Sequence, residues 1–175
     1  MEEGDSEKRQ IWAKVIQSRS EKGYPYIFFT DNVNNGAADV YRDKEMKIYS
    51  SNLCSEICLP TSKDWSFVCD LSSLNLTYYD EWKDTDAVET LTYFLDAVMT
   101  EFINKVEELP DRSKSYMSKA LSFAKENRAL GIGVFGWHTY LQEHSIAFED
   151  PQAISLNKEV WENIREKAYN ASESL

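Results

Sequence analysis

Cys54, Cys58 and Cys69 are the three cysteines of the sequence, and they fall in one stretch. Asn52 and Glu56 flank the first of them in the run NLCSEI, so that an amide, a thiol and a carboxyl group alternate along the chain. In an extended segment, residues i, i+2 and i+4 point the same way. Asn52, Cys54 and Glu56 are then expected to share one face, with Cys58 continuing the row if the segment stays straight. The set cannot make a zinc site by itself, because Cys54 and Cys58 are spaced C-x-x-x-C and only Cys69 remains. Taken singly, each cysteine also reads as a small buried hydrophobe. Spacing alone leaves both readings open.

Two other patterns carry less chemistry. GIGVFG, residues 131–136, matches G-x-G-x-x-G, but a helix-like polar stretch precedes it and the glycines lie inside an apolar strand. A dinucleotide fingerprint needs them after a strand and opening a helix. The pattern is therefore expected to be a strand packed closely against other backbone. His138 and His144 are six apart, the wrong spacing for one helical face, so no metal site is expected there.

The bulk properties set the frame. One domain is the expectation for 175 residues, and 42% hydrophobic residues suffice for a core. A formal net charge of -11 argues against nucleic acid or an anionic membrane as the main partner. No apolar run reaches the roughly 18 residues of a membrane helix. The charged start MEEGDSEKRQ does not resemble a signal peptide, and three cysteines in such a chain point to free thiols in a reducing, cytoplasmic setting.

The elements that must position the cysteine stretch read as helices alternating with short strands, an α/β pattern. Residues 7–22 are predicted as an amphipathic helix through Ile11, Trp12, Val15 and Ile16, ended by Gly23. YPYIFFT, residues 24–30, is predicted as a buried strand, with a polar loop after it. WSFVC, residues 65–69, is a second strand candidate. The strongest helix spans residues 85–109, with Val88, Leu91, Leu95, Val98, Phe102 and Val106 on its apolar stripe. A weaker helix over 113–128, a strand over 129–136, a short helix over 137–144 and a C-terminal helix from about Ser155 complete the reading.

Four motifs, in order, carry a family resemblance. NLCSEI followed by CDLSSLNL resembles the active-site region of the large subunit of class I ribonucleotide reductase. WAKVIQSRSEKGYPYIFFTDNVNN is similar to the helix and strand before that region, and RALGIGVFGWHTYLQEHSIAFED to the segment after it. Leu53 and Ser55 favour the class I form over a cobalamin-dependent N-P-C-G-E pattern. The resemblance covers about residues 10–172.

The resemblance implies a fold, a partial segment of a ten-stranded α/β barrel with a finger loop inside, and one barrel-domain segment over residues 1–175. It implies that the complete enzyme replaces the ribose 2′-hydroxyl with hydrogen. Cys54 matches the cysteine that becomes a transient thiyl radical and abstracts the 3′-hydrogen. Glu56 matches the base on the 3′-hydroxyl. Asn52 matches the amide that orients the sugar, with Ser51 beside it in the substrate-binding set. Cys69 matches one member of the reducing dithiol. Cys58 has no counterpart and is expected to be structural. No metal or cofactor is implied in this chain. The complete enzyme relies on a metal-radical small subunit and a dithiol reductant. Implied partners are a ribonucleotide, the remaining large-subunit segments and the radical-generating small subunit.

The departures are equally specific. No cysteine precedes Cys54 to pair with Cys69. The family's phosphate loop and radical-delivery tyrosines lie downstream of the matched region. Two readings follow: a piece of a split large subunit that works after assembly, or a truncated remnant acting as a folded interaction module.

Overall fold

Asp5 opens the first helix, α1 (Ser6–Lys22), by accepting the Lys8 amide proton on Oδ1 at 2.9 Å. Gly23 ends it at φ 80°, donating its N–H to Arg19 O at 2.9 Å. The computed structural model describes residues 5–175 and divides into two units, Met1–Lys63 and Asp64–Leu175.

In the first unit, α1 is followed by two short helices, α2 (Thr30–Asn35) and α3 (Asp39–Asp43). These replace the polar loop expected there. No strand forms in this unit among the described residues. The strand expected over residues 24–30 does not form: Tyr24 is 57%, Tyr26 61% and Phe29 66% accessible, Ile27 and Phe28 are half-buried, and Thr30 opens α2. Its aromatic composition signals a surface to be covered, and without a neighbouring backbone there is no ladder to define a strand. The apolar stripe of α1 behaves likewise, leaving Ile11, Trp12 and Ile16 exposed. What ties this unit together locally is a side-chain amide. Asn34 Nδ2 donates to Ile48 O at 2.7 Å and Asn34 Oδ1 accepts from Ile48 N at 3.0 Å, as a paired strand would. Ile48 is buried.

The second unit carries the sheet. β1 (Leu71–Asn75) leads through a 3-10 turn, Leu76–Tyr78, into α4 (Tyr79–Trp82), then α5 (Ala87–Glu107) and α6 (Asp111–Asn127). β2 (Gly131–Phe135) returns parallel to β1, in register from Leu71–Gly131 to Asn75–Phe135, and is followed by α7 (Trp137–Glu143) and α8 (Pro151–Glu173). A parallel pair needs such a long helical crossover. The sheet is unclosed, with two strands among the described residues.

WSFVC is not a strand. Trp65 and Phe67 instead set their rings edge-on to Phe123 of α6, at 6.2 and 6.4 Å, and Ser66 donates its N–H to Lys119 O. Side chains, not a ladder, fix that segment, and β1 begins two residues after it. α5 packs against both α6 and α8. Its buried residues are Val88, Thr92, Leu95, Met99, Ile103 and Val106, a stripe turned slightly from the expected one. Val98 is exposed, while Leu91 and Phe102 are half-buried. Thr92 tolerates burial because its hydroxyl donates to Val88 O at 2.8 Å. The α8 helix starts earlier than Ser155, since Asp150 caps it through Gln152 N and Pro151 occupies its first turn.

Candidate active-site turn

The run from Asn52 to Ile57 is a closed turn, not an extended row. Asn52 N–H donates to Ile57 O at 3.2 Å, and Ile57 N–H donates back to Asn52 Oδ1 at 3.0 Å. Inside this pair, Ser55 N–H donates to Asn52 O at 3.1 Å, and Ser51 Oγ donates to the same carbonyl at 2.9 Å. Ser55 adopts φ 69°, in the left-handed region. The alternation expected to align Asn52, Cys54 and Glu56 on one strand face is therefore broken between Cys54 and Glu56. The closed turn exposes Leu53, Cys54, Ser55 and Glu56, while Ser51, Asn52, Ile57 and Cys58 are half-buried and Pro60 is buried. A thiol and a carboxylate are thus displayed together on a short loop whose base is held by one asparagine.

Cys69 belongs to the other unit, on an exposed position ahead of β1. All three cysteines are thiols. Behind Cys69, Asp70 turns a buried Oδ2 that has no hydrogen-bond partner among the described residues. Burial, and then the nearby charge of Asp96, raise its pKa above the ordinary carboxylate value. Asp96 is gripped by Arg128, through Nε at 2.8 Å and Nη2 at 2.6 Å, and the same Nη2 reaches Thr100 Oγ1. Asp96, Thr100 and Arg128 border a cleft of about 720 Å³ between α5, β2 and α8, which Ile132 and Tyr169 also line.

The glycines of GIGVFG serve packing, as expected. A Cβ on Gly131 would sit 3.0 Å from Leu71 Cβ, and one on Gly133 would sit 3.0 Å from Ser73 Oγ. Two adjacent strands could not approach so closely with side chains there. His144 faces Asp80 Oδ2 through Nε2 at 3.3 Å, and Tyr140 donates its hydroxyl to the same oxygen at 3.0 Å. Burial, with the Asp80 hydrogen bond second, raises the Tyr140 pKa well above its ordinary value. This cluster was missed in the sequence, although Tyr140 and His144 stand at i and i+4, one helical turn apart. No group of three His, Cys, Asp or Glu side chains suited to a metal ion occurs among the described residues. None of the described helices is long and apolar enough to cross a membrane.

Comparison with known proteins gives the chain a family. The family described as ribonucleotide reductase, barrel domain, matches residues 2–175. The putative ribonucleoside-diphosphate reductase large subunit of Frog virus 3 is 39% identical over 95% of this chain and 29% of its own length. The large subunit of Invertebrate iridescent virus 3 is 34% identical over 89% of this chain and 24% of its own. The solved class Id ribonucleotide reductase alpha subunit of Actinobacillus ureae superposes with a TM-score of 0.83 at 53% identity, over 98% of this chain and 32% of that one. The chain thus spans about a quarter to a third of the length of these relatives. With the α/β pair of parallel strands, the turn at Cys54 and a family match over nearly every residue, the chain belongs to the ribonucleotide reductase barrel-domain family.

Proposed function

We propose that the chain supplies the hydrogen-abstracting cysteine, its base and one redox thiol of a ribonucleoside-diphosphate reductase large subunit, working with the remaining large-subunit segments. The observation that carries this reading is the closed turn on which both Cys54 and Glu56 are exposed, in a chain of the reductase family. The turn is the finger loop of a ten-stranded barrel to which β1 and β2 contribute two strands.

As a thiyl radical, Cys54 takes the 3′-hydrogen atom and becomes a thiol again, leaving the radical on the sugar. A sulfur–hydrogen bond suits this step, being weak enough to form the radical and strong enough for the abstraction to be reversible. Glu56 accepts the 3′-hydroxyl proton from hydrogen-bond distance as the 2′-hydroxyl takes a proton from the Cys69 dithiol and leaves as water, and at the end Cys54 returns its hydrogen atom to C3′ and is a thiyl radical again. Asn52 and Ser51 orient the ribose. Cys69, with a second thiol from another segment, delivers the reducing electrons and ends as a disulfide. The sum is ribonucleotide and dithiol in, deoxyribonucleotide, water and disulfide out. The radical itself comes from a metal-radical small subunit. Exposed thiols of this kind persist in a reducing cytoplasm.

The test combines the chain with the remaining large-subunit segments, a radical-generating small subunit and a dithiol. Deoxynucleotide should form from a ribonucleoside diphosphate in the complete mixture and not from the chain alone. Product from this chain and the small subunit without the other segments contradicts the assembly reading. No product from a complex in which all segments co-purify contradicts the catalytic reading, and favours a folded interaction module that docks through the exposed apolar surface of Ile11, Trp12 and Ile16.

A further inference from the structure

Asn52 sits at the base of the turn and takes part in its bonds with three groups. Its backbone N–H and its side-chain Oδ1 both address Ile57, at 3.2 and 3.0 Å, and its carbonyl accepts from Ser55 and Ser51. Ile57 is thereby paired on both sides as in a ladder, but by one residue whose side chain substitutes for a second strand. Ser55 stands at φ 69°, a left-handed conformation that is costly for a non-glycine residue and persists only where the surroundings impose it. The bonds converging on Asn52 are those surroundings. Side-chain amides carry an acceptor and two donors. In Asn52 the acceptor end is committed to Ile57, and the Nδ2 end has no hydrogen-bond partner within the turn.

We propose that Asn52 is a positioning residue for Cys54 and Glu56, its Oδ1 clamping the turn that displays them, so that only its amide N–H donors remain to meet a substrate hydroxyl. This deepens the reductase reading and rests on it for the identity of the substrate. The clamp itself is a property of the loop and is read without substrate.

The experiment is residue-resolved amide exchange on this chain, by NMR, for wild type, Asn52→Ala and Asn52→Asp. A carboxylate keeps an acceptor where Oδ1 stood and removes the donors. Ile57 N–H should be protected in wild type and in Asn52→Asp, and exchange about tenfold faster in Asn52→Ala. Amides of the α5 core, such as Leu95, should not change. Unchanged protection of Ile57 in Asn52→Ala overturns the clamp. So does protection lost in Asn52→Asp, because its acceptor is intact. If Asn52→Ala loosens the α5 core as well, Asn52→Asp alone decides, by the same criterion. In the assembled enzyme, kcat should fall further with Asn52→Ala than with Asn52→Asp, while the lost donors raise KM in both. Wild-type complexes that bind no ribonucleotide would sink the substrate reading and leave the exchange result standing.

Discussion

Gly136 lies against Asn75 so closely that a Cβ on the glycine would fall 2.6 Å from Asn75 Oδ1 and 2.8 Å from Thr77 Oγ1. Gly136 also adopts φ 81°, where it turns the chain from β2 into α7. Asn75 Oδ1 is meanwhile bound by Thr77 N–H at 3.1 Å, so it is not free to swing away. Gly23 has nearly the same φ, 80°, with nothing within 4 Å of its would-be Cβ.

The pair separates conformational cost from collision. Gly23→Ala should cost about 1 kcal/mol, the left-handed penalty alone. Gly136→Ala should cost roughly 3 kcal/mol, since the collision adds to that penalty. Chemical denaturation of each variant measures the difference. Equal losses would mean that the β2–α7 corner relaxes without cost.

Arg128 joins α5 to the end of α6 by a fork on Asp96 that also reaches Thr100. Its own φ is 41°, so Arg128→Ala would mix backbone strain with the lost pair. Arg128→Lys keeps the side-chain length and charge and removes the planar fork. A loss of about 2 kcal/mol is expected, as a lower denaturation midpoint at unchanged slope. A lysine variant as stable as wild type would show the fork to be dispensable.

Asp70 gives a pH dependence with a definite sign. Burial and Asp96 raise its folded pKa, so its protonated form is favoured in the native state. Its contribution is fully present below the unfolded carboxylate pKa and is lost as pH rises through the raised folded value. Asp70→Asn, uncharged at every pH, should therefore be more stable than wild type near neutrality, with the advantage shrinking on acidification. Melting curves of both proteins across the acid range measure this. A constant offset between them would rule out titration of Asp70 as the cause.

How far the sequence foretold these features depends on where each segment finds its partner. α1 with its Gly23 stop, α5, α6, β2 and α7 were legible because helical periodicity, or a short glycine-bearing apolar run, encodes them locally. Residues 24–30 and 65–69 were not. Aromatic runs indicate that a surface needs covering, but they do not say whether by a ladder or by rings such as Phe123. Within the candidate site, Asn52, Cys54 and Glu56 stand out by residue type, while the extended row expected of them is a closed turn. Nothing in NLCSEI announces a left-handed Ser55, since neither glycine nor proline marks the turn. An asparagine side chain standing in for backbone, at Asn52 and again at Asn34, leaves no periodic trace.

The measurement that tests the central claim most directly is the product pattern of three serine variants in the assembled complex, by chromatography of substrate, deoxynucleotide and free base. Cys54→Ser replaces a weak S–H bond with a much stronger O–H bond, so no radical forms there and the substrate should return unchanged. Cys69→Ser still permits abstraction of the 3′-hydrogen by Cys54, but the sugar intermediate then lacks its dithiol reductant and should decay to free base, inactivating the complex. Cys58→Ser should turn over nearly normally, with a packing loss of about 1 kcal/mol. Identical product patterns for Cys54→Ser and Cys69→Ser, or a dead Cys58→Ser beside an active Cys54→Ser, would contradict the division of labour assigned to these thiols.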